Sequence, residues 1–167
     1  MKYSMFYHSA TGNTKIVADA LESYLNGIGA VKVENAEDAD LVCVGFWTEE
    51  GNANKAARKY MKALRDCKVF LFGTAGFGDS KTYFDGIIEN AQDNLVTSVD
   101  VVGSFMCQGK MPEAFRKLYE KNKDVIPYQG KHFDLMISDF EDALTHPNAA
   151  DLEAAKAALA EAVKKLG

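Results

Sequence analysis

Leu41–Phe46 (LVCVGF) and Val69–Phe72 (VFLF) are apolar without interruption and have the length of β-strands. A strand with one face in water alternates apolar with polar residues. A strand that is apolar throughout is covered on both faces, as in parallel sheets packed between helices. The rest of the chain fits that frame. Tyr3–Tyr7 reads as a first strand, Ala30–Val33 as a weak second and Val99–Met106 as a last, so the two apolar runs are third and fourth. Between them apolar residues recur at helical spacing: Ile16, Val17, Ala20, Leu21, Tyr24 and Leu25, then Ala53, Ala57, Tyr60, Met61 and Leu64, then Tyr83, Phe84, Ile87, Ile88 and Ala91. Two further helical stretches, roughly 112–123 and 131–144, precede an alanine-rich helix that runs to Leu166, with Asn148 and Asp151 spaced as a capping box. The alternation predicts an α/β fold in which one doubly wound parallel sheet of five strands carries helices on both faces, with extra helices before the C-terminal one. All 167 residues are expected to form one domain.

Right-handed crossovers bring the C-terminal ends of parallel strands to one edge, where ligands bind. The loops that matter therefore follow Tyr7, Phe46, Phe72 and Met106. The first, Ser9-Ala10-Thr11-Gly12-Asn13-Thr14, packs three hydroxyls, a glycine and an amide into six residues before a helix. Small residues let backbone N–H groups approach an anion, and the helix N-terminus favours negative charge, so the loop reads as a phosphate cradle. Ser, Thr and Asn also suit a plain N-cap turn. The layout is not that of a nucleoside-triphosphate P-loop, which needs GxxxxGK[ST]. Lys15 follows and either adds charge or points to solvent. The second loop, Phe46-Trp47-Thr48-Glu49-Glu50-Gly51-Asn52, holds the only tryptophan, either a half-buried surface aromatic or a stacking face for a planar ligand. The third, Gly73-Thr74-Ala75-Gly76-Phe77-Gly78-Asp79, is glycine-rich and on its own compatible with any turn needing positive φ.

Ser9, Thr11, Gly12 and Thr14 match the T/S-x-T-G-x-T phosphate signature of flavodoxins, and residues 1–107 resemble that family in the order of their elements. The resemblance implies the strand order 2-1-3-4-5 and a non-covalent FMN. By it, Ser9, Ala10, Thr11, Gly12, Asn13 and Thr14 hold the phosphate, while Trp47, with Phe46 and Thr48 beside it, covers one ring face. Phe77 lies against the other face, with Tyr83 as the substitute if Phe77 turns inward. Thr74, Ala75, Gly76 and Gly78 face the pyrimidine edge, and Asp79 stands near the ring's polar edge. Gly51 is the candidate for the peptide flip with which flavodoxins tune the flavin.

Composition narrows the function. A net charge of −5 disfavours nucleic acid, which demands a basic footprint. Cys43, Cys67 and Cys107 lie far apart without metal or disulfide-framework spacing, which suits a reducing compartment. MKYSMFYHS is too short for a signal-peptide core, and no run is long enough to span a membrane, so a cytoplasmic location is expected. No catalytic triad, paired carboxylates or dinucleotide fingerprint is visible, and no metal site is expected. The expected role is an electron carrier that passes low-potential electrons to a partner oxidoreductase. The alternative is an FMN-dependent reductase or dehydrogenase acting on a quinone, tetrapyrrole or other planar substrate. Residues 107–145 depart from the family; the run Cys107-Gln108-Gly109-Lys110-Met111-Pro112 either roofs a pocket over the ring or, more simply, starts a packing helix. Monomer and homodimer both remain open.

Overall fold

A computed structural model describes residues 1–126 and 130–166. Five parallel strands run in the order β2-β1-β3-β5-β6, formed by β1 (Lys2–Tyr7), β2 (Val31–Lys32), β3 (Leu41–Glu49), β5 (Lys68–Ala75) and β6 (Asp100–Gln108). The two-residue β4 (Asn52–Ala53) folds back antiparallel on the end of β3. Apart from that addition, this is the expected five-strand order.

The side-chain period of two explains why the apolar runs are strands. Along β3, Val42, Val44 and Phe46 face one layer and Leu41 and Cys43 the other; along β5, Val69 and Leu71 oppose Phe70 and Phe72. One layer is α1 (Asn13–Gly27) and α6 (Ala149–Lys164), which bring Val17, Leu21, Leu25, Ala155, Leu159 and Ala162 onto the sheet. The other is α2 (Lys55–Ala63) and α3 (Lys81–Gln92), which bring Ala57, Met61, Ile87, Ile88 and Ala91. The capping box at Asn148 and Asp151 is present. Between β6 and α6 the chain makes an excursion through α4 (Glu113–Val125) and α5 (Gly130–Ala143), held together by Arg116–Glu141 and Lys123–Asp134 ion pairs. No helix among the described residues is long and apolar enough to cross a membrane.

Two strands run further than expected. β3 continues through Trp47, Thr48 and Glu49, then turns at Glu50 and Gly51, whose φ values of 51° and 73° are those of a two-residue hairpin. β5 continues through Gly73, Thr74 and Ala75, because β3 and β6 pair with it on both sides there. A Cβ at Gly73 would meet Met106 Sδ at 2.6 Å and Phe46 Cε2 at 2.7 Å, so the strand passes that point only as glycine.

The core sets an alkaline limit on stability. Burial pushes the Cys43 thiol up to about 12. Burial, with the charge and hydrogen bond of Glu22 behind it, pushes the Tyr3 hydroxyl up to about 12. Both groups are held protonated in the fold, whereas the unfolded chain ionises them in their ordinary ranges, from about 8.5 for the thiol. Their stabilisation is therefore complete below that range and is lost as pH rises toward the folded values. The urea midpoint is expected to be level through neutral pH and to fall above about pH 9; a midpoint unchanged through the thiol and phenol ranges would contradict this.

Candidate functional site

At the C-terminal edge of the sheet a cleft of about 600 Å³ opens between four loops. One end is built by the turn from β1 into α1. Gly12 occupies the N-cap of α1 with φ 94° and has no side chain with which to cap the helix. Ser9 Oγ accepts from the Gly12 amide (3.1 Å) and more loosely from that of Lys15 (3.3 Å), which curls the loop around its own hydroxyl. The amides of Ala10, Thr11, Asn13 and Thr14 find no acceptor among the described residues. A helix start with unanswered N–H groups and no carboxylate among Ser9–Thr14 is built to receive an anion. Lys15 supplies no direct charge: its ammonium pairs with Asp19 at 2.6 Å on the exposed side of α1.

The cradle is braced from two sides. Thr14 Oγ1 lies 3.1 Å from Thr74 Oγ1 in a buried pair that joins α1 to β5. Asn13 Nδ2 donates to the Lys110 carbonyl (2.9 Å) and to Thr11 Oγ1 (3.2 Å). The Lys110 amide in turn donates to the His146 carbonyl, tying the loop after β6 to the approach to α6.

The other end of the cleft is apolar and aromatic. Trp47, Phe77, Tyr83, Met111 and Phe115 line it. Trp47 sits near the end of β3, paired with Thr74 of β5 just before the hairpin, and Thr48 Oγ1 donates to the Thr74 carbonyl. Phe77 is tilted against Tyr119 of α4, ring centres 5.7 Å apart. Met111 lies on Gly76, where a Cβ would come within 2.4 Å of its Cγ and Sδ. Glu49 and Glu50 stand at the rim; Glu49 accepts the Lys55 amide at the start of α2 and pairs with Arg58 at 3.1 Å.

Ser9, Ala10, Thr11, Asn13, Thr14, Trp47, Thr48, Thr74, Ala75, Gly76 and Phe77 all line this one cleft. Four residues named with them do not. Gly12 shapes the loop through its φ. Phe46 is fully buried among Val44, Ala57 and Met61, because it has the parity of Val42 and Val44 and so points into the core. Gly78, at φ 63°, turns the chain away, and Asp79 consequently lines a separate cleft with Lys81, Phe84 and Phe105. Tyr83 lines the site together with Phe77 rather than in its place. Gly51, at the hairpin tip, also lines it. The stretch after β6, read more simply as a helix start, does both: Pro112 precedes α4, while Gly109, Lys110, Met111, Pro112 and Phe115 line the cleft. The available signal was position, since this loop follows a parallel strand at the same edge as the others.

A helix start with free amides and an aromatic-lined cleft, both at the C-terminal edge of a five-strand parallel sheet in the order β2-β1-β3-β5-β6, are the features of a flavodoxin-like protein. The model of the flavodoxin domain family matches residues 4–160, and the chain belongs to that family. It is 35% identical over 188 aligned positions to the flavodoxin-like domain-containing protein BilS of Clostridium symbiosum (strain WAL-14163), covering 100% of this chain and 98% of the relative. To the BilS of Clostridioides difficile (strain CD3) it is 27% identical, covering 91% and 90%. Among solved structures, a short-chain flavodoxin associated with a PDU bacterial microcompartment superposes with a TM-score of 0.62 at 14% identity, covering 100% of this chain and 99% of the other. Flavodoxin 1 of Bacillus cereus gives 0.56 at 16%, covering all of both chains. At such identities the likeness is one of fold.

Proposed function

We propose that this protein binds FMN without a covalent bond and carries electrons between partner proteins in the cytoplasm. The observation that carries this reading is the joining of two unlike ends in one cleft. Free amides at a helix start suit a phosphate dianion, and a slot between Trp47 and Phe77 suits a flat ring system. Bound FMN supplies reversible electron uptake, chemistry the side chains here do not possess. The amides and hydroxyls of Ser9–Thr14 hold its phosphate without a basic side chain. Trp47 and Phe77 hold the ring and exclude water from its faces, and Thr74–Gly76 present backbone groups to its polar edge. With the phosphate charge unneutralised and Glu49 and Glu50 at the rim, added negative charge on the ring is disfavoured, which lowers the potential at which electrons are accepted.

A second reading has its own observation. Met111, Pro112 and Phe115 extend the apolar slot with a roof that would also cover a planar substrate laid on the ring, as in an FMN-dependent reductase. Reductive titration of the FMN-loaded protein separates the two. A radical signal that accumulates at half-reduction, with little turnover of quinones or other planar acceptors, is expected for a carrier. Direct two-electron reduction with turnover of a planar acceptor would favour the reductase. Failure to retain FMN would overturn both.

A further inference from the structure

The indole of Trp47, the wall of the proposed ring slot, is tethered. Its Nε1 donates to His8 Nδ1 at 3.0 Å, and Asn54 Nδ2 lies 3.1 Å from the same atom. An indole nitrogen only donates, so His8 Nδ1 must offer a lone pair, and the neutral ring carries its proton on Nε2. Asn54, 2% exposed at the start of α2, thereby presents its NH₂ to His8, while its Oδ1 is buried with no donor among the described residues.

We propose that His8 and Asn54 are positioning residues that form a proton-dependent latch on Trp47. With His8 neutral, Nδ1 accepts from Trp47 and holds the indole, at the cost of leaving Asn54 Oδ1 unanswered. A proton added at Nδ1 turns that acceptor into a donor and expels both N–H groups. Asn54 has a second arrangement available, because half a turn of its amide brings the unpartnered Oδ1 to the new N–H. Trp47 has none, since its nitrogen cannot accept, and it is released. The two states thus exchange one satisfied partner for another at a single ring nitrogen.

The charged and titratable groups nearest in sequence to His8, Trp47 and Asn54 on the elements meeting there are Tyr7 on β1, Lys15 on α1, Glu49 and Glu50 at the hairpin, and Lys55 and Arg58 on α2. Lys15 is engaged by Asp19, and Glu49 by Arg58 and the Lys55 amide. None of the six bonds to the His8 ring among the described residues. Proton binding there is therefore answered by Asn54 and Trp47.

The latch itself stands on this geometry; its meaning for the cofactor rests on the FMN reading above. Trp47 is the only tryptophan, so its fluorescence and its single indole N–H resonance report the latch directly, in protein free of flavin. On acidification from mildly alkaline pH, both signals are expected to change together with the uptake of one proton. His8→Asn, which keeps an acceptor oxygen near the Nδ1 position and does not titrate, should hold the neutral-pH signal throughout. His8→Phe should show the released signal throughout. Asn54→Asp keeps the size of the side chain and offers a carboxylate to the protonated ring, so the step should move to higher pH. A flat wild-type profile, or a step that survives His8→Asn, would overturn the latch. FMN titration at both ends of the range then tests the other reading: a protein that binds no FMN at either pH loses the cofactor proposal and keeps the latch.

Discussion

On the FMN reading proposed above, Gly109→Ala is expected to weaken FMN binding markedly while sparing most of the fold. The added methyl would stand 2.7 Å from Asn13 Nδ2, 2.8 Å from its Cγ and 2.9 Å from its Cβ. Asn13 cannot simply swing aside, because it is buried and its amide is committed to the Lys110 carbonyl and the Thr11 hydroxyl. Inserting a methyl into such packing costs about 1–3 kcal/mol. Because the side chain that must yield belongs to a residue whose own N–H lies in the cradle, the phosphate amides move with it. Affinity should fall about 10- to 100-fold, or about 1.4 to 2.8 kcal/mol. Flavin fluorescence titration reads the affinity and urea denaturation the stability. In an Asn13→Ala background the two nearer collisions are gone and only the Cβ contact at 2.9 Å remains, so the further loss caused by Gly109→Ala should shrink. Equal losses in both backgrounds would show that the collision is not the cause.

Thr14→Val attacks the other brace and is expected to divide stability from binding. Thr14 and Thr74 share a buried hydroxyl pair, and removing one partner leaves the other unanswered, a cost of about 1–3 kcal/mol. Thr74→Val should behave alike. The double variant removes both polar groups and should recover much of the stability, since two apolar groups of the same shape pack where two hydroxyls met. Binding of FMN should not recover, because both residues border the cleft and the hydroxyl pair that fixes their positions there is not restored. Additive stability losses, or a double variant that regains affinity, would remove the pair from this account.

The strand order came from the family resemblance alone, but the doubly covered parallel sheet was legible because an uninterrupted apolar run must be buried on both faces, as Leu41–Phe46 and Val69–Phe72 are. The ends of those strands were not. Thr48 and Glu49 look like loop because they are polar, yet they pair with Ala53 and Asn52 across a turn that Glu50-Gly51 encodes. Gly73-Thr74-Ala75 looks like loop because it is small; it is strand because flanking strands supply the hydrogen bonds, and the small size makes room for Phe46 and Met106. Parity alone would have sent Phe46 to the core, since it follows Val42 and Val44 at a spacing of two. What no local pattern discloses is the meeting of distant residues. That Met111 would lie on Gly76, or that His8 would receive Trp47 and Asn54, depends on how three strands end in space.

The bracing of the cradle also fixes when in the life of a chain it can be completed. Ser9–Thr14 leave the ribosome well before Lys110 and His146. Their support comes from the carbonyl of Lys110, and the amide of Lys110 is itself held by the carbonyl of His146. A nascent polypeptide can thus present the phosphate loop early, but it cannot finish the structure that steadies the loop until the approach to its last helix has emerged. The steadying of that loop accordingly waits for synthesis to pass His146. A fragment ending before His146 would carry every residue of the phosphate loop and lack the buttress behind it.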